Sequence, residues 1–307
     1  MRIARWVWVS LVVVGCGSTA APPSYPPLAP EQPAAPIQPL ADELVPLPET
    51  DPAYDPALGT PPASKPQGGP ITITVRTPQI GDIRTRQLRM RNVIDNVFED
   101  GKQWRQLSSN RYDFREELWK IEGEALLFKV RVLHATEAVM LKDKPHSVTV
   151  ATGDYIITAL GPGKRAGVAR EDGSELGTRE VEELSDLFGF ESARPHPLVE
   201  IASKRALRVG ESVEMTADEN TVFGGGQKVT APVHLTLLAA TPTTARFQVD
   251  VLLTFGDRER RLRYDITLER ATGRLRELHE LMHERETGEG MRQEQVQHLA
   301  MTVSPAS

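Results

Sequence analysis

Apolar residues recur at every second position through most of the chain after residue 70. The pattern runs through "ITITVRT" (71–77), "LLFKVRVLHA" (126–135, with Phe128, Val130 and Val132 in phase) and "APVHLTLLAA" (231–240, with Val233, Leu235 and Leu237). It continues in "ARFQVDVLL" (245–253, with Phe247, Val249 and Val251) and "RRLRYDITLER" (260–270, with Leu262, Tyr264, Ile266 and Leu268). A period of two with polar partners predicts strands that bury one face. The stretches "EDGK", "REDGSE" and "RATGRL" between them carry the residues of hairpin turns. One segment switches period: "GTREVEELSDLFGF" places Val181, Leu184, Leu187 and Phe188 on a helical stripe, with Thr178 as N-cap and Gly189 at the end. A short turn around "HPLVEIAS" is predicted to follow. The fold class expected is mainly β (α+β), with antiparallel sheets and one amphipathic helix packed on a sheet.

The pattern also recurs on a longer scale. "QIGDI" (79–83) matches "RVGESV" (208–213), "LLFKVRV" (126–132) matches "ARFQVDV" (245–251), and "REDGSEL" (170–176) matches "RATGRLREL" (270–278). Three matches in the same order predict two similar β units, about 71–190 and 198–305. The general likeness of antiparallel meanders is the alternative source of such matches.

Before residue 71 the texture is different. Residues 21–70 hold 16 of the 24 prolines, a density that removes amide donors and fixes φ, so an extended, solvated tether is expected over 16–70. The 54 residues from Gly17 reach about 40 Å as a flexible coil and about 165 Å as polyproline II. At the start, "MRIAR" is a short basic region and "WVWVSLVVV" a nine-residue apolar run, about half of what a bilayer-spanning helix needs and suited to export. It ends on Gly15 and Cys16, the only cysteine, which therefore has no partner in the chain for a structural disulfide.

These residues resemble a bacterial lipoprotein signal with its lipobox, Val13-Val14-Gly15-Cys16. Val13 stands where Leu is usual, and Val14 where Ala or Ser is. The resemblance covers the first sixteen residues. It implies a signal peptide at 1–15, lipid attachment at Cys16, and anchoring in the cell envelope. With Gly17 rather than Asp after the cysteine, the family's sorting rule implies the outer membrane. Two or three acyl chains, at about 0.8 kcal/mol per buried methylene, make release negligible.

Charge narrows the partners. The net charge of −6 includes Arg2 and Arg5 in the signal and six acids against Lys65 in the tether, which leaves −3 on residues 71–307. Such a balance offers no field for a polyphosphate backbone, so no nucleic acid is expected.

One motif points to chemistry. Residues 279–283 read "HELMH", the H-E-x-x-H pattern in which two histidines bind zinc and the glutamate activates water. On a helix, residues four apart share a face about 6 Å apart and reach one ion. On a strand four rises separate them by about 13 Å, beyond two zinc bonds of about 2 Å. The repeat favours a strand here; the leucine spacing of "RLRELHELMHERE", with no β-branched residue, favours a helix. Even a helix would lack an orthodox third ligand, Glu289 or Glu294 being the nearest acids in its place.

The expected function is a lipid-anchored envelope protein with a non-catalytic binding or structural domain, no cofactor and no metal. Its partners are the membrane and a lipid, peptide or envelope-protein ligand. The rival is a zinc metallohydrolase with His279 and His283 as ligands and Glu280 as base. A second rival is a carrier of lipids or lipoproteins. The layout resembles, faintly, periplasmic lipoprotein carriers, which implies a cavity under the helix at 177–190 lined by Phe128, Val130, Phe247 and Val249.

Overall fold

Alternation in the sequence becomes one antiparallel path of eleven strands. The computed structural model describes residues 58, 61–62, 65–141, 144–161, 164–189, 191, 197–216, 233–288 and 290–305. The signal, Cys16 and most of the tether lie outside the described residues. The strands are β1 (Gln67–Ile71), β2 (Ile83–Phe98), β3 (Gln103–Glu122), β4 (Ala125–Leu141), β5 (Lys144–Thr149), β6 (Gly153–Ala159) and β7 (Gly167–Arg170). After helices α1 (Thr178–Phe188) and α2 (Pro197–Ser203) come β8 (Leu207–Val209), β9 (Ser212–Glu214), β10 (Val233–Ala240) and β11 (Thr244–Phe255). The chain ends with β12 (Arg258–Glu269), β13 (Leu275–Gly288) and β14 (Met291–Pro305). The main sheet runs β7-β6-β4-β3-β2-β14-β13-β12-β11-β10-β9, with β5 also on β4; β1 and β8 form a separate pair. The fold is mainly β, antiparallel throughout.

Each half of this path is a meander, and the halves begin alike. Gly81 donates its N–H to the Leu118 carbonyl at 2.8 Å, as Gly210 does to Leu237 at 2.7 Å. The Asp82 carbonyl accepts from Leu118, and that of Glu211 from Leu237. The side chains repeat the match: Asp82 accepts from the Gln79 N–H and Glu211 from the Arg208 N–H. Both glycines have positive φ, 89° and 85°, where a Cβ is strained. β14 joins the halves by pairing β13 on one side and β2 on the other.

Register places the apolar set on one face. Phe247, Val249 and Val251 of β11 stand opposite Ile266, Tyr264 and Leu262 of β12, and with Val233 and Leu235 they bury under α2, which contributes Leu198, Val199, Ile201 and Ala202. In the other half Tyr112, Phe114, Phe128, Val130, Tyr155 and Ile157 bury under Leu184 and Phe188 of α1. Burying one such side chain contributes about 1.5–3 kcal/mol. The edge strands among the described residues are β7, β9 and β5, four, three and six residues long, lengths that limit edge-to-edge pairing.

Three local expectations are corrected. Of "ITITVRT" only Ile71 lies in a strand. The segment makes isolated bonds to the β12–β13 turn, Thr74 N–H to Arg270 O at 2.8 Å and Arg76 N–H to Thr272 O at 3.0 Å, and its alternation serves to bury Ile73 beside α2. "REDGSE" leads from β7 into α1 rather than closing a hairpin. The α1 N-cap is Gly177, not Thr178: the Glu180 carboxylate accepts from the Gly177 N–H at 3.2 Å and is itself fixed by Arg170 at 2.6 Å, which sets the helix start one residue earlier.

Candidate functional site

HELMH lies within β13, an extended segment paired on both sides. His279 stands opposite Asp265 and Ala300, and His283 opposite Arg261 and Val296. Leu278, Glu280 and Met282 alternate with them, and Leu278 and Met282 pack with the core under the helices. The helix-favouring composition yields because a ladder on each side satisfies the backbone along the whole segment. The two imidazoles therefore project from the face away from the helices, about 13 Å apart by strand rise. Glu280 projects from the opposite face. Among the described residues no cluster of three or more His, Cys, Asp or Glu is placed to hold a metal ion; Glu289 lies outside them, and Glu294 pairs with Arg285 at 2.8 Å.

Glu280 is a perturbed acid. Its cross-strand neighbours are Tyr264 and Leu299, and it sits where the two apolar clusters approach. Burial raises its carboxyl to about 7, against the opposing influence of Arg260. The Tyr264 phenol is likewise raised, by burial and then by Glu280. Perturbed acids concentrate at functional sites; here the apolar surroundings account for the shift.

α1 is clamped to the sheet by buried polar groups. Arg86 donates to the fully buried Glu116 at 2.6 Å and to the Leu187 carbonyl near the helix end at 3.3 Å. Its guanidinium lies 4.2 Å from the centre of the Phe188 ring. Arg84 completes the group, 2.7 Å from both Glu116 and Glu191. At the helix start Tyr155 donates to Glu180, and burial pushes that phenol up to about 12. Midway, Tyr112 donates to Glu183 at 2.8 Å; burial raises both groups. Phe188 packs edge-on against Phe114 at 5.7 Å. The space beneath α1 is thus occupied by protein side chains. The four residues expected to line one cavity separate: Phe128 and Val130 lie under α1, Phe247 and Val249 under α2.

Away from the helices the same face turns polar. Asn92 and Asn96 of β2, Ser108 of β3, and Gln293, Gln295 and Gln297 of β14 share it by register. The Gln295 amide donates to Asn92 at 3.0 Å. Beside this floor Arg258 and Arg260 face Glu286 and Glu284 across β12 and β13. Trp104 lies opposite Asn96, and Phe98 opposite Met291. Neutral amides donate and accept at once, and the flanking charges are internally paired. No sequence pattern pointed to these residues, because their convergence depends on the β14–β2 pairing, which no local pattern announces.

The opposite face is densely charged. Arg89 and Arg91 of β2, Arg111 and Arg115 of β3, Lys129 and Arg131 of β4, and Arg261 and Arg263 of β12 all lie on it by register. Lipid-facing strands of a membrane barrel disfavour such charges at mid-bilayer by about 2–4 kcal/mol each. Leu58, from the tether, is fully buried, and its carbonyl accepts from Arg261 at 3.2 Å.

No protein-family model matches the sequence, and no curated protein matches it. Among solved structures it is similar to lipovitellin, in a structure described for its lipid–protein interactions: 9% identity, TM-score 0.35, over 75% of this chain and 26% of that one. It is also similar to an outer-membrane channel of Pseudomonas putida F1: 7% identity, TM-score 0.23, over 74% of this chain and 97% of the channel. The chain thus spans about a quarter of the lipovitellin length. At such scores neither likeness bears on ligand or activity.

Proposed function

We propose that the chain is a lipid-anchored protein of the bacterial outer membrane whose β domain binds or scaffolds rather than catalyses. The observation that carries the non-catalytic reading is the split of HELMH across the two faces of β13: the histidines on one, the glutamate on the other. A water held by the two imidazoles and activated by Glu280 has no place in that arrangement. The anchor rests on the lipobox, Gly15-Cys16 after a nine-residue apolar run.

Asn92, Asn96 and Gln295 of the amide floor are themselves buried, and the Gln295 amide is bonded to Asn92, so the floor favours the scaffold role over direct capture of a ligand by these amides. Metal analysis of the purified chain tests the reading: zinc is expected well below one equivalent and unchanged in His279→Ala. Stoichiometric zinc, lost in that variant, would overturn it.

A further inference from the structure

Two large apolar side chains project into solvent at one end of the sheet, Phe98 with 39% and Trp104 with 52% of its surface exposed. They flank the β2–β3 turn on one face, because Trp104 pairs with Asn96 and Phe98 lies two positions beyond it. The turn is firmly backed: the Glu99 N–H donates to the Gly290 carbonyl of the β13–β14 turn at 3.0 Å, and Phe98 stands opposite Met291. Aromatic residues on a rigid tip are suited to the headgroup region of a bilayer, where an apolar ring and a polar edge are both satisfied.

The route of the tether points the same way. Leu58 is held at Arg261, three residues from the start of β12 at this same end. In sheet geometry that is about 10 Å along the strands and about 19 Å across them from the Trp104 row. The residues from Cys16 to Leu58 reach about 35 Å as a coil, so a lipid on Cys16 lies within range of the tip. Charge around the tip cancels, with Glu99 and Asp100 against Lys102 and Arg105, so insertion would rest on apolar contact and not on anionic lipid.

We infer that the β2–β3 tip, through Phe98 and Trp104, seats the domain on the bilayer that holds the Cys16 lipid. This rests on the anchoring reading above. The contact can be weak in free solution, because a tether supplies a millimolar effective concentration of membrane.

The test separates the tip from the anchor. Trp6 and Trp8 fall in the signal, so residues 16–307 keep Trp104 and Trp119 only; Trp119 stacks on Lys129, 5.3 Å away. Residues 16–307 carrying Trp119→Phe are coupled through the Cys16 thiol to maleimide lipid in phosphatidylcholine vesicles, with or without brominated acyl chains. Coupling imposes the tether whether or not cells acylate Cys16; acylation is read separately, from the mass of the protein recovered from membranes. Trp104 emission is expected to move to shorter wavelength and to fall at least twofold with brominated lipid, unaffected by 1 M NaCl. In the companion Trp104→Ala, Trp119 emission should be unquenched. Unquenched Trp104, equal quenching of Trp119, or reversal by salt would each overturn the inference. If Trp119→Phe fails to fold, the difference between the unsubstituted chain and Trp104→Ala reports the same quantity.

Discussion

Replacing Glu280 by Gln isolates the one carboxyl placed between the two apolar clusters. Its folded value of about 7 stands roughly 2.5 units above an ordinary glutamate. A raised carboxyl pKa means that the folded state holds the proton more tightly, so its contribution to stability is complete below about pH 4.5 and is lost as pH rises through 7. At 1.36 kcal/mol per unit the full loss is about 3 kcal/mol. Because Glu280 is only half-buried, about 2–3 kcal/mol is the reasonable range. Glutamine keeps the shape and the hydrogen-bonding capacity while removing the charge. Urea unfolding of both proteins at pH 5, 6, 7 and 8 should therefore show an advantage to Glu280→Gln of less than about 1 kcal/mol at pH 5, growing to about 2–3 kcal/mol at pH 8. Other raised carboxyls, Asp250 and Glu183 among them, are common to both proteins and cancel in the difference. A difference independent of pH would refute the assignment of the shift to burial.

The clamp on α1 predicts that Arg86→Ala, which leaves the buried Glu116 carboxylate to Arg84 alone, costs about 1–3 kcal/mol, less than a fully unpaired buried charge, read as a drop in urea midpoint. Substituting Arg86 and Glu116 together by Met and Leu should restore much of it. Gly273 has φ 69°, and a Cβ there would meet Val199 Cγ1 at 2.9 Å and the Thr74 carbonyl at 3.2 Å; Gly273→Ala should destabilise by about 1–3 kcal/mol in the same assay. Because the space beneath α1 is filled, a fluorescent fatty acid should show no saturable binding to the purified protein. Cys16→Ser should move the protein from the membrane to the soluble fraction on cell fractionation, and continued partitioning with membranes would count against the anchor.

Strands were legible in β4 and β10–β12, where one buried face leaves a clean alternation, but β2, β3 and β6 were not read from the sequence although each buries one face. Phe247, Val249 and Val251, or Leu262 and Ile266, alternate because the core lies on one side of the sheet only. "ITITVRT" shows the limit of that signal: the same alternation arises when an irregular segment inserts Ile73 into a core without a ladder of its own. HELMH shows the converse. Its composition suits a helix, yet eleven registered pairs with β12 and twelve with β14 outweigh an intrinsic preference of a few tenths of a kcal/mol per residue. The α1 stripe was visible at Leu184 and Phe188, but the buried Glu180 was not, since its partners Tyr155 and Arg170 are 25 and 10 residues away in sequence. The amide floor was invisible for the same reason: it is assembled between β2 and β14, some 200 residues apart.

That long-range seam also explains why the two similar meanders make one body. If the halves were separate, β2 would expose one edge over sixteen residues and β13 one over fourteen, and long unpaired edges of that kind recruit other chains. β14 covers both at once, pairing β2 along fifteen positions and β13 along twelve. The Leu299 side chain of that strand packs into the cluster under α1 while its neighbours across β13 pack under α2. Glu280 sits at this junction, opposite Leu299 and Tyr264. Its raised pKa is thus a consequence of joining two cores along one strand, where a carboxyl group inherits the desolvation of both and only the partial compensation of Arg260.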